Sequence, residues 1–182
     1  MQLTDLGPYL MAGEHMVWSG EPRRGIILTA SDIFLIPFSL LWGGFAIFWE
    51  ASVVTSHAPI FFELWGVPFV GAGLYIIVGR FFVDAWTRKQ TAYLLTDRRI
   101  LLVRSGPLAS TTSLQLRTLT NVQLKEASAG RGTIIFGDMI PYRWAVPRGW
   151  PGMPNAPMFF QIEDAHSVYG KIQSLQERQS GG

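Results

Sequence analysis

The chain has 182 residues, of which 48% are apolar and 15% charged, with a formal net charge of +2. Soluble domains carry about a quarter charged residues, so this composition, with a mean hydropathy of +0.22, points to membrane segments joined to a small domain. Cysteine is absent, which excludes disulfides and thiolate chemistry.

Residues 1–30 have no apolar core of the kind a cleavable leader needs, because Glu14, Glu21, Arg23 and Arg24 interrupt each candidate stretch. They are expected to form a cytoplasmic N-terminal segment, leaving the first apolar run as a retained anchor. That run, "IFLIPFSLLWGGFAIFW" from Ile33 to Trp49, holds no charge. Extended to Val54 it reaches the roughly 20 residues needed to cross a hydrocarbon core. Ser31 and Asp32 are placed to cap it. The second run, Leu64 to Val83, is broken only by Arg80, whose head can extend to the interface while its stem stays apolar.

Helices over about 32–54 and 61–84 therefore form an expected transmembrane hairpin, residues 31–86. Pro37 and Pro68 are tolerated in such helices, and Gly43, Gly44, Gly66, Gly71 and Gly73 permit close approach. The connector "EASVVTSHAPIFFE" has no Lys or Arg, whereas Arg23, Arg24, Arg80, Arg88 and Lys89 flank the opposite ends. The positive-inside rule then places both termini in the cytoplasm. Two core helices of a soluble protein are the alternative, but neither run has a polar stripe for water.

From Gln90 the pattern changes to short strand-like segments. "TAYLL" and "RILLVR" flank the polar turn "TDR", and further strands are expected at Thr111–Leu116, Asn121–Lys125, Thr133–Phe136 and Met158–Ile162. "EDAHSVYGKIQSLQERQ" predicts a helix capped by Asp164, with Val168, Ile172 and Leu175 on one face. Together they predict an antiparallel barrel over residues 87–178, plugged by the C-terminal helix, with 179–182 as a frayed tail.

The ordered set "YLLTDRRILLVRSG", "LTNVQLKEASAGRGTIIFG" and "FFQIEDAHSVYGKIQ", preceded by "EHMVWSGEPRRG", resembles the bacterial pleckstrin-homology-like (PH-like) family of small membrane proteins. The resemblance runs from about Glu14 to Gln176 and implies an α+β membrane protein: a two-helix transmembrane hairpin, then a PH-like β-barrel capped by an α-helix. It implies no generally assigned enzymatic activity. The Pro- and aromatic-rich stretch "DMIPYRWAVPRGWPGMPNAP" departs from the family, where a short connection is expected. Whether residues 14–22 add a strand to the barrel stays open.

Among candidate sites, His15, His57 and His166 lack metal-ligand spacing. No GxSxG, P-loop or GxGxxG motif occurs in context, so no catalytic residue, metal or cofactor is expected. Basic residues interleaved with acids and lacking stacking aromatics speak against nucleic acid. Arg80, Arg88, Lys89, Arg98 and Arg99 are the candidate contacts to anionic headgroups, each cation near such a surface contributing about 1 kcal/mol. Tyr142, Trp144 and Trp150 are the candidate interface or partner loop. The expected function is a non-enzymatic binding or scaffolding module of the bacterial inner membrane. Its expected partner is a protein or an anionic lipid, and homo-oligomerisation is left open. A subunit of a transport or envelope-maintenance complex is the second reading, and an unrecognised membrane enzyme the third.

Overall fold

The computed structural model describes residues 6–29, 31–127, 130–137 and 156–180. They fall into two compact units: a pair of apolar helices, and a β-rich unit that also includes the N-terminal segment and the C-terminal helix.

In the helical unit, α1 spans Asp32–Thr55 and α2 spans Ile60–Leu74. A π-helical turn, Tyr75–Gly79, joins α2 to α3, Arg80–Lys89. Ile60–Lys89 is thus one continuous helix, five residues longer at its C-terminal end than the sequence suggests. Both this helix and α1 are long and apolar enough to cross a membrane by length and composition.

Their residue distribution is inverted relative to a soluble core. The buried positions of α1 are Asp32, Ser39, Gly43 and Ala46, at heptad spacing along one face. Those of α2 are Gly66 and Gly73, and Arg80 continues their seven-residue interval. Large side chains such as Phe34, Leu41, Phe48 and Leu64 point outward and are more than half exposed. Small residues in the seam let the two backbones meet closely. A Cβ on Gly73 would lie 3.0 Å from the Gly43 Cα, and one on Gly43 would lie 2.7 Å from Ile77 Cδ1. Gly66 likewise makes room for the Glu50 carboxylate and the Trp49 ring. Gly44 and Gly71 face open space, so only part of the expected glycine set makes the approach.

The π-turn has a visible role. The Arg80 amide bonds to Tyr75 O, while its side-chain Nε donates to Ile76 O at 2.8 Å. That conformation carries Nη1 to the Asp32 carboxylate at 2.5 Å. The pair is almost fully buried, Arg80 being 3% and Asp32 4% exposed. Asp32 also accepts from the Thr29 amide and hydroxyl, which ties down the entry to α1.

The β-rich unit holds β1 Met16–Gly20, β2 Thr91–Thr96, β3 Arg99–Arg104, β4 Ser110–Gln115, β5 Val122–Glu126, β6 Gly132–Phe136 and β7 Met158–Ile162, then α4 Ala165–Ser180. All pairings are antiparallel, in a four-stranded sheet β1-β2-β3-β4 and a three-stranded sheet β5-β6-β7. The expected closed barrel is corrected to two separate sheets: among the described residues β4 does not pair with β5, nor β1 with β7. A 3-10 turn, Leu116–Thr118, takes the chain out of the first sheet after β4. Register breaks in the β1–β2 and β6–β7 ladders coincide with the two remaining edge strands, and such bulges bend an edge out of line for further pairing. The N-terminal segment supplies β1, which answers the open question about residues 14–22.

The main core lies between the sheets and α4. Phe159 is its centre, packed on Trp18, Tyr93 and Phe136 with ring centroids at 5.2, 4.8 and 4.9 Å. Val168 and Ile172 enter it from α4 at the expected spacing, with Leu175 half-buried beside them. The helix begins after Asp164, whose carbonyl accepts from the Val168 amide, and continues through residues expected to fray. A second cluster covers the opposite face of β2 and β3, where Leu6 seals Ala92, Leu94, Leu101 and Val103. Burial on both faces explains why these strands read as continuous apolar runs rather than alternating ones.

Gly43→Val and Gly73→Val are each expected to destabilise the detergent-solubilised protein by about 1–3 kcal/mol through overpacking. Gly44→Ala and Gly71→Ala are expected to be neutral or slightly stabilising. Helicity followed through a denaturing-detergent titration checks this, and equal effects at all four sites would show that the helices do not meet at Gly43 and Gly73.

Candidate anion-binding cleft

The turn between β2 and β3 contains only Asp97 and Arg98, and neither needs a positive φ. Thr96 makes this possible by accepting the Arg98 and Arg99 amides on its hydroxyl at 3.2 and 2.9 Å. The N-terminal segment then crosses the turn, with Asp97 N donating to His15 O and His15 N donating to Asp97 Oδ1.

Glu14 anchors that crossing. Its Oε1 accepts from Arg99 Nε at 2.8 Å and from the Thr96 hydroxyl at 2.7 Å. Its Oε2 accepts from Arg99 Nη2 at 2.9 Å and from Met11 N at 2.7 Å. The carboxylate is fully buried and Arg99 is 14% exposed, so this is a two-pronged, desolvated pair of the strong kind. The Arg99 hydrogen bonds are the largest influence on Glu14 and hold its carboxyl down at about 2, against the opposing effect of burial. Glu14 raises Arg99 in return.

Beside this pair lies a cleft of about 510 Å³, within the usual range for small-ligand sites. Arg98 enters it from the turn, Arg99 from β3, Arg117 from the 3-10 turn after β4, and Arg178 from the last turn of α4. Glu14 is the one carboxylate that lines it, and Arg99 occupies both its oxygens. Among the described residues the Arg98 side chain holds only the Gly13 carbonyl, at 3.3 Å. Arg98, Arg117 and Arg178 are exposed and have no ion-pair partner among the described residues. Ser113, Gln115 and Gln179 add neutral polar groups. The arrangement suits a group carrying more than one negative oxygen, which planar guanidinium forks recognise well.

The basic residues singled out from sequence separate into distinct roles. Arg98 and Arg99 come together in the cleft, but Arg99 is committed to Glu14. Arg80 is buried in the helical unit against Asp32, so its side chain does not extend outward as expected. Arg88 is 5% exposed and donates to the Arg23 and Gly25 carbonyls at 2.6 and 2.7 Å, so it clamps the chain after β1 and is likewise not open to a headgroup. Lys89 is exposed and does not line the cleft. Tyr142, Trp144 and Trp150 lie outside the described residues. Glu14, Arg117 and Arg178 were not legible as site residues, because long-range folding alone brings them together. Among the described residues no group of three or more potential metal ligands assembles.

The depressed Glu14 value gives a definite pH dependence. Its contribution is complete above the ordinary value of 4.5 and is lost as pH falls toward 2; it is worth about 3 kcal/mol. Glu14→Gln is expected to remove about that much stability near neutral pH and to flatten the acid limb. Denaturant unfolding of both proteins at about pH 7 and about pH 3 measures this. The gap between them should narrow at the lower pH, and a constant gap would sever Glu14 from the acid response.

Comparison with known proteins finds no matching family model, no matching curated protein and no matching solved structure.

Proposed function

We propose that this chain is a membrane-anchored, non-enzymatic binding module of the bacterial inner membrane. In this reading α1 and the Ile60–Lys89 helix form an N-in, C-in hairpin, and the β-rich unit is a cytoplasmic, open PH-like domain. The inverted helix pair supports the anchor, since small and polar residues inside with large apolar ones outside is the pattern lipid selects. The positive flanks support the orientation. Only Gln90 separates α3 from β2, so the chain passes from the helix into the β-rich unit without a linker. The sequence resemblance to PH-like proteins agrees with seven antiparallel strands ended by a helix.

The observation that carries a binding role is the convergence of Arg98, Arg117 and Arg178, from three distant parts of the chain, on one cleft with no free carboxylate. The ligand class is an anionic phosphate-bearing headgroup. An acidic segment of a protein partner is the second reading, because the same guanidinium groups accept carboxylates.

The test uses the full chain in discs of zwitterionic lipid, titrated with a water-soluble short-chain phosphatidylglycerol. Arg98→Ala, Arg117→Ala and Arg178→Ala combined, with Arg99 kept, are expected to weaken binding by about a hundredfold, taking about 1 kcal/mol per cation. Circular dichroism should be unchanged. Equal binding by the two proteins would remove the headgroup reading, and stable co-purification of an acidic partner lost in the triple variant would favour the second.

A further inference from the structure

The seam of the helix pair holds two acidic side chains that are treated very differently. Asp32 has Arg80. Glu50, farther along the same face of α1, has a buried Oε2 with no hydrogen-bond partner among the described residues. No Lys or Arg other than Arg80 occurs between Gly25 and Val83, so the two apolar helices themselves offer Glu50 no second cation. A carboxylate in an apolar seam is costly unless something positive meets it.

The surroundings of Glu50 are aromatic. Gly66 admits both its carboxylate and the Trp49 ring to the same spot, since a Cβ there would collide with both. Trp49 is also one wall of an apolar cleft of about 280 Å³ between α1 and α2, completed by Trp42, Phe45, Ala46, Trp65 and Phe69. Rings from the two helices face each other across it, Trp42 and Phe69 at 6.4 Å, with Trp65 against Phe69 at 6.0 Å. Aromatic faces carry negative quadrupole potential, and Trp attracts a cation most strongly. A purely apolar occupant would gain nothing from Glu50, and a hydrated inorganic ion would gain nothing from the rings.

We propose that this aromatic cleft, with Glu50 beside it, binds an organic cation of the substituted-ammonium class. The ammonium group sits against the Trp49 ring, which the Glu50 carboxylate meets at Gly66 without itself lining the cleft, and its apolar substituents lie among Trp42, Trp65 and Phe69. Such a cation belongs either to a lipid headgroup or to a free amphiphilic amine. The inference needs only the helix pair and stands independently of the arginine cleft.

The probe is benzyltrimethylammonium, titrated by calorimetry against the full chain in discs of phosphatidylglycerol, with empty discs subtracted. The expected result is saturable binding, weakened at least about tenfold in Glu50→Gln and in Trp65→Leu, the scale of a desolvated cation–π contact. The uncharged carbon isostere neopentylbenzene is expected not to compete. Glu50→Gln preserves shape, so helix packing is retained, and unchanged circular dichroism confirms that for both variants. Repeating the titration in phosphatidylcholine discs separates the sources: loss of probe binding assigns the site to a lipid headgroup, and unchanged binding assigns it to a free cation. Equal binding by wild type and Glu50→Gln, or effective competition by the isostere, would overturn the proposal. So would self-association of the chain that depends on Glu50, since a partner helix would then occupy the seam.

Discussion

The two-pronged pair between Glu14 and Arg99 is the contact on which the β-rich unit depends. Without it the N-terminal segment has only sparse polar ties to the β2–β3 turn. With it, Leu6 is held over Leu94 and Leu101, and β1 is delivered to the edge of the first sheet. Two apolar strand faces are thereby covered instead of one. The pair also shapes the neighbouring cleft electrostatically. By consuming the one carboxylate there, Arg99 leaves the other three guanidinium groups without internal neutralisation.

The helical unit follows a parallel logic with the burial rule reversed. Its seam is narrow because Gly43, Gly66 and Gly73 remove side chains where the backbones meet. Of the two acidic groups in that seam, Asp32 is met by Arg80, the residue that follows the π-turn. Single π-turns of this sort are frequent at functional sites, and here the turn ends at the one strong cation of the apolar segment.

Much of the fold was legible because its signals are local. Uninterrupted apolar runs give the two helices within a few residues, and the strands β2 to β7 and α4 follow from short strand-like segments, the turn residues between them and helical spacing. The sheet count was less legible: a barrel and two facing sheets share the same strand pattern, and they differ only in whether the edges hydrogen-bond. The sites were harder still. Arg98 announces itself in a turn, but nothing near Arg117 or Arg178 says that they converge on it. The adjacency of Arg98 and Arg99 in sequence suggested a shared role, whereas Arg99, first in β3, is taken up by Glu14 and Arg98, in the turn, is not. The heptad interval of Gly66, Gly73 and Arg80 was readable, yet its meaning depends on Asp32 lying opposite.

Charges in this chain divide by whether the fold has already used them. Arg80, Arg88 and Arg99 are buried or nearly so and are met by carboxylates or backbone carbonyls, although Arg80 Nη2 has no hydrogen-bond partner among the described residues. Each looked like a surface contact in sequence because topology and headgroup binding both place cations near the ends of apolar helices. Arg98, Arg117, Arg178 and Glu50 are charged groups that line or adjoin a cleft and have no ion-pair partner among the described residues. Of these, the three arginines face a cleft open to water, where a missing partner costs little and an arriving anion is simply attracted. Glu50 sits in an apolar seam, where a missing partner is costly. The buried, unpartnered Glu50 oxygen is therefore the stronger physical argument for a ligand, even though the arginine cleft is the larger feature.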